Sequence, residues 1–408
     1  MVPLSDLPRK DIRTFTNALG LMHMMFGNMV PRSVSSKRLS GLTIVILVVG
    51  AATSCDRAAE GTNIRVAKNG TSENADLGDV SAGFVLSNIG TFGSGPQDTA
   101  MACSEGLNTT DRDNWLVQFP TPRARLAHLD RCGSFHNRGP HCENVWFTPD
   151  AVRDPLPFHG VTGEVAYGGN LDGTRDGAAT LHSCAHQKFR GPTGETGIDN
   201  QFYRFFGCMN GFRGDAAAID INTRKSVRQY LINRLLLEVT QLPGAPSGVV
   251  DVAMYHGRDP LQVDVTGHAI PYQTQRVDDG ALGLMFRVRG HLTADTLVTD
   301  AADVYWVDQA PLLIRGMTLR LTLDRGGAKG FRLGYMDIEQ LWASFLTQTG
   351  ASLSELIGAS GPSAYVALHN FADGYRDKRT GSCTALSSAT DIEFVRARLR
   401  HNFARGGS

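Results

Sequence analysis

Apolar and polar positions alternate with period two in a series of short segments through the second half of the chain. Leu235 to Gln241, Val249 to Tyr255, Leu284 to Leu292, Thr296 to Thr299, Val304 to Val307, Leu312 to Leu323 and Gly330 to Tyr335 each read as strands. Pro243-Gly244, Gly257-Arg258-Asp259-Pro260, Asp278-Asp279-Gly280 and Arg325-Gly326-Gly327 divide them with turn chemistry. Strands at this spacing, with few helices between, predict a mainly β fold: an antiparallel β-sandwich or open barrel, the sandwich being preferred. Upstream, Val161 to Tyr167 reads as one more strand, and Arg123 to Leu129 and Arg224 to Asn233 as short helices. The period changes after Asp337. Ile338, Leu341, Trp342, Phe345 and Leu346 fall on one helical face, with Asp337 as its cap and Gly350 as its stop. Leu353 to Ile357 and Ala364 to Phe371 continue the helical pattern. The pattern therefore divides the folded part into a β-rich domain, residues 102–335, and a short helical C-terminal region, residues 336–408, packed on it. A polar loop, Ala372 to Cys383, is expected to hook back onto the body through Cys383.

The N-terminal third follows another logic. Lys37 and Arg38 precede an apolar run, Leu42 to Ala52, followed by Thr53, Ser54 and Cys55. A basic flank, a short apolar core and small residues at the cleavage point describe a secretory signal. The run is about 11 residues, against about 20 needed for a membrane-spanning helix. Ala52-Thr53-Ser54-Cys55 resembles a bacterial lipobox, although Ala stands at Ala52 where that pattern usually has Leu. The resemblance implies lipidation at Cys55 and a chain anchored in a membrane through it. Met1 to Asn28 match no part of such a signal, so translation is expected to start at Met29. Gly, Ser, Asn, Thr and Asp dominate residues 55–101, which read as a flexible tether, with Gly83 to Leu86 as a docking edge strand at most.

Charge is balanced, 40 basic against 40 acidic residues, so composition gives no drive toward nucleic acid. Seven cysteines leave six once Cys55 is set aside, an even set suited to three disulfides in an oxidising compartment. The spacing points to Cys132–Cys142, closing a loop with His136 and His141 inside it, and to Cys184–Cys208.

Asn170 to Cys208 carries the densest chemistry. Asp172-Gly173-Thr174-Arg175-Asp176-Gly177 has oxygens at alternate positions and a turn glycine, the first half of a calcium loop. Ser183 stands where an EF-hand has Glu, so Ca2+ held by Asp172, Thr174 and Asp176 needs a further ligand, Glu195 or Asp199. The alternative is a Gly/Asp turn whose carboxylates take backbone amides. His182 and His186 flank Cys184; two surface histidines beside a disulfide are the preferred reading over a zinc site. Asp199, Asn200 and Arg204 either order their own loop around Phe202 or face a ligand. Acid/base work by Asp172, Asp176, Glu195 and Asp199 is a third option. No G-x-S-x-G, Walker loop or C-x-x-C-H occurs, so nothing signals a serine hydrolase, nucleotide or haem.

TGIDNQFYRFFGC, IPYQTQRVDDG and ALHNFADGYRDKRTG resemble segments of a group of exported proteobacterial proteins of undetermined function, over roughly Asn114 to Arg396. The resemblance implies export and a shared domain, and carries no catalytic residues with it. The expected role is a lipid-anchored protein of the periplasm or cell surface, serving as a binding or structural module toward an envelope polymer or glycan. The alternative is a secreted hydrolase of polysaccharide or another envelope polymer. An enzyme should show a deep cleft with converging carboxylates or histidines of shifted pKa, and a module a shallow surface.

Overall fold

The computed structural model describes residues 81–90, 99–213, 225–229, 234–242, 244–278, 280, 283–307, 311–349 and 353–401. The signal, the lipobox and Cys55 lie outside the described residues, as does the tether before Ser81. The strands are β1 (Ser81–Ile89), β2 (Phe189–Arg190), β3 (Thr196–Ile198), β4 (Leu235–Gln241), β5 (Val249–His256), β6 (Gln273–Arg276), β7 (Leu284–Thr293), β8 (Thr296–Thr299), β9 (Ala302–Val307), β10 (Pro311–Leu323), β11 (Gly327–Asp337), β12 (Gly374–Arg376) and β13 (Cys383–Arg400).

Eight of them close into an antiparallel barrel in the order β1-β4-β5-β7-β8-β10-β11-β13, and β13 pairs back onto β1. The expected sandwich is thus a barrel, because β1 and β13 supply a long-range pairing that local alternation does not reveal. Phe84, Leu86, Leu237, Val239, Val252, Leu297, Leu319, Leu321, Ile392 and Phe394 belong to the core cluster that fills it. Burial of each such side chain contributes about 1.5–3 kcal/mol. On the outer face of β1, β4 and β5, a second cluster of Val85, Leu236, Ala253 and Tyr255 is covered by Leu261 and Val277. Residues 273–276 run parallel to the far end of β13, beyond the point where β11 stops.

Two further expectations are corrected. Residues 81–89, assigned to the tether, form a strand bonded on both sides, to β4 and β13, and not an edge. Residues 336–408 are not a helical region alone: helices Ile338–Thr349, Leu353–Ile357 and Gly361–Phe371 precede an 18-residue strand of the barrel wall. Ala385 to Thr390 of that strand are buried on both faces, so they show no alternation for a sequence reading to find. Val161 to Tyr167 is not a strand, and joins no ladder beyond the single bridge of Val165 to Arg190. Among the described residues no helix is long and apolar enough to cross a membrane.

A buried carboxylate ties helices and loops from the two ends of the chain together. Asp111, at the start of helix Asp111–Gln118, accepts hydrogen bonds from His136 Nδ1 at 2.9 Å, Trp146 Nε1 at 2.7 Å and Arg138 Nη2 at 3.0 Å. It also accepts from Ser360 Oγ and from Gly361 N. Burial opposes its charge, but these donors hold the carboxyl below its usual range. Trp146 stacks on Trp342, centroids 5.2 Å apart, so this knot joins the N-terminal loops to the C-terminal helices.

Three disulfides complete the fold, which is consistent with an exported protein of an oxidising compartment. Cys132–Cys142 is as expected. The Cys184–Cys208 pairing is corrected: Cys208 bonds Cys103, and Cys184 bonds Cys383 across 199 residues. Chain separation misleads here because β13 brings the C-terminal region back onto the Asn170 stretch.

A candidate ligand cleft over a buried ion network

The Asn170 stretch lies across the outer face of β11 and β13. Tyr167 stacks on Phe331 of β11, centroids 5.5 Å apart, and Gln201 N donates to Ser387 Oγ of β13 at 3.0 Å. Residues 182–184 run beside β12: Cys184 N donates to Asp373 O at 2.8 Å, Ser183 bridges Gly374, and Arg376 N donates to His182 O at 3.3 Å. Cys184–Cys383 locks this arrangement. Gly374 permits it: an added Cβ would stand 2.3 Å from the Tyr335 ring. Gly177 is needed in the same way, since its φ is +75° and an added Cβ would meet His186 O at 1.9 Å.

Beneath this layer lies a network of charges. Lys188 Nζ donates to Asp172 Oδ1 at 2.6 Å and to Asp199 Oδ1. His186 Nε2 donates to the same Asp199 oxygen at 2.7 Å, and Nδ1 to Cys184 O at 2.8 Å. Asp199 Oδ2 accepts from Leu171 N at 2.7 Å and Asp172 N at 3.3 Å. Asp373 Oδ1 accepts from Ser387 N at 2.7 Å, while its Oδ2 lies 3.6 Å from His186 Nε2 with no hydrogen-bond partner. Side-chain exposure here is 0–6 %, which decides that these are internal charges and not a solvated face.

The environment sets the protonation states. Burial works against a charge on His186, but its bond to Asp199 and the nearby Asp373 outweigh it and its pKa is raised. Burial pushes Asp172 up, yet Lys188 and Thr174 hold it below the usual range. Burial of Asp373, only partly offset by His186 and Ser387, carries its carboxyl up to about 7. Tyr335 is raised by burial and then by Asp373, Asp199 and Asp172, so it stays a phenol donor.

These shifts predict how stability varies with pH. Asp373 binds a proton more tightly in the folded chain, from an ordinary 3.8 to about 7, so its stabilising proton is lost as pH climbs through that window. His186, raised above 6.5, contributes fully below that pH and loses its contribution as pH rises through its folded value. Asp172 and Asp111 act oppositely, losing theirs as pH falls below 3.8. Thermal melts should therefore show Tm falling from pH 5 to pH 8, and Asp373→Asn should flatten that slope. A Tm that rises over the same interval would contradict the assignment.

The calcium set does not assemble. Asp172 Oδ1 accepts from Thr174 N and from Thr174 Oγ1, and Asp176 Oδ1 caps Ala178 N at 3.1 Å. Thr174 is spent on Asp172, and Glu195 sits exposed in the β2–β3 turn, taking the Thr193 hydroxyl. The plain turn reading describes this loop, because each carboxylate finds an amide two residues on. Asp172, His186 and Asp199 do bring potential metal-binding atoms within 4.8 Å of one another, but the cation bonded to both carboxylates is the Lys188 ammonium. His186 is no surface residue, whereas His182 is exposed. Asn200 caps helix Gln201–Phe206 through Tyr203 N, and Arg204 Nη1 donates to Val161 O at 2.6 Å over the Phe189 ring. Burial lowers Arg204 to about 10. Of the ligand-facing trio Asp199, Asn200 and Arg204, all are internal. Sequence reasoning passed over Lys188, Tyr335, Asp373, Tyr375, Arg315 and Arg376, which become neighbours only through the barrel.

Above the network opens a cleft of about 730 Å³ lined by Asp172, His182, Arg315, Tyr335, Tyr375 and Arg376, among others. The Tyr335 and Tyr375 rings meet edge to face at 5.5 Å, and the Arg315 guanidinium lies 4.9 Å over Tyr375. The comparisons give no relative. No family model, curated protein or solved structure matches this chain.

Proposed function

We propose that this is an exported, envelope-anchored binding module that takes its ligand in the Tyr335–Tyr375 cleft. One observation carries the reading: Asp172, the network carboxylate that lines the cleft, is already bonded to Lys188 and Thr174, which suits a rigid receptor wall more than an acid or base. The cleft has a volume usual for a small-molecule site and two aromatic walls. Placement allows tethering. β1 enters the barrel with Gly83 beside Ala397, at the opposite end of β13 from the Cys383 clasp, so the first described strand does not start at the cleft.

The hydrolase reading keeps one specific support. Asp373, with a carboxyl near 7 and an unpartnered oxygen beside His186, is a proton donor of the right strength for neutral pH. One experiment separates the two: a panel of envelope glycans is tested by calorimetry for binding and by reducing-end assay for turnover. Binding without turnover, weakened about tenfold by Tyr375→Ala through loss of an aromatic wall, is the expected result. Turnover that Asp373→Asn abolishes while binding persists would replace the module with the enzyme.

A further inference from the structure

Resting on that reading of the cleft, we infer that its ligand is an acidic sugar unit, a hydroxylated ring carrying a carboxylate or phosphate. Among the described residues, most acceptors that line the cleft are engaged by the protein, while Thr384 Oγ1 donates to Tyr375 O and keeps its acceptor capacity. Asp172 takes Lys188 and Thr174, Asp377 Oδ1 takes Arg379 N at 2.7 Å, and Thr180 Oγ1 takes His182 N and Ser183 N. The donors are not. Arg376 spends only Nε, on Gly381 O at 2.8 Å, which leaves both terminal nitrogens. Arg315 spends only Nη2, on Asp337 at 3.1 Å. The Tyr335 and Tyr375 hydroxyls and the His182 ring have no protein acceptor among the described residues. A cleft whose open donors outnumber its open acceptors is complementary to a ligand rich in acceptors.

Charge points the same way. Asp172 is offset by Lys188 and Arg315 by Asp337, while the loop 376–379 carries Arg376, Lys378 and Arg379 against the single carboxylate of Asp377. A guanidinium with two open terminal nitrogens fits a carboxylate or phosphate by a paired fork. The phenols suit hydroxyl oxygens, and their rings give a sugar face something to lie against.

The test is calorimetry on the full chain at low and at physiological salt. The probes are glucuronate, glucose 6-phosphate, inorganic phosphate, glucose and glucosamine. At least one of the two sugar acids should bind about tenfold or more tighter than glucose, and more weakly at the higher salt. Arg376→Gln and Arg315→Gln should each remove about tenfold of that preference, with melting temperatures showing both variants folded. Glucose or glucosamine binding as tightly as the acids would overturn the inference while leaving the binding module standing. Inorganic phosphate matching the sugar acids would overturn its sugar component. Silence from all five probes would overturn the inference, and the glycan panel would then judge the module by itself.

Discussion

Replacing Cys184 and Cys383 together by serine should cost the fold about 4–5 kcal/mol. The bridge joins residues 199 apart, and in the chain-entropy description the constraint on the unfolded chain grows with the logarithm of that separation. Urea unfolding of the variant against the parent measures the loss. The same change should damage the cleft, because the bridge holds residues 182–184 against β12, and with them His182, Tyr375 and Arg376. Cys132–Cys142 encloses a 10-residue separation, so its removal should have a smaller effect in the same experiment. If the two double variants lose equal stability, loop entropy is not what the long bridge contributes.

Lys188→Met should destabilise the protein by about 3–5 kcal/mol, the usual consequence of removing one partner from a buried charge cluster. Methionine keeps the unbranched apolar stem, but Asp172 and Asp199 lose the ammonium they share. Adding Asp172→Asn in the same background should recover part of the loss by removing one of the stranded charges. A loss below about 1 kcal/mol would mean that water reaches these carboxylates, as at an exposed ion pair. The cleft wall would then be softer than the binding reading requires.

How much of this was legible in the residues differs by element. From Leu235 to Tyr335 the strands stand close to where alternation puts them, because alternate residues face the packed barrel interior. The helix after Asp337 and the Cys132–Cys142 loop are local matters and were equally readable. β13 was hidden because its first half is small residues buried on both faces, and β1 because glycine and serine surround it. The Asn170 stretch stands at the candidate cleft, but its carboxylates have other partners than the calcium reading expects. Asp176 and Glu195 serve their own turns, while Asp373 and Tyr335, 174 and 136 positions beyond Asp199, complete the cluster.

What the sequence determined by itself is what depends on near neighbours: strand and helix periods, turns, and an even set of cysteines in the folded part. What the tertiary structure alone decided is closure and chemistry. Sandwich or barrel turned on whether β13 meets β1, and that pairing joins chain segments about 310 residues apart. Which carboxylate is charged, and which cation it holds, turned on burial, since a side chain's pKa is a property of its surroundings and not of its position in the chain.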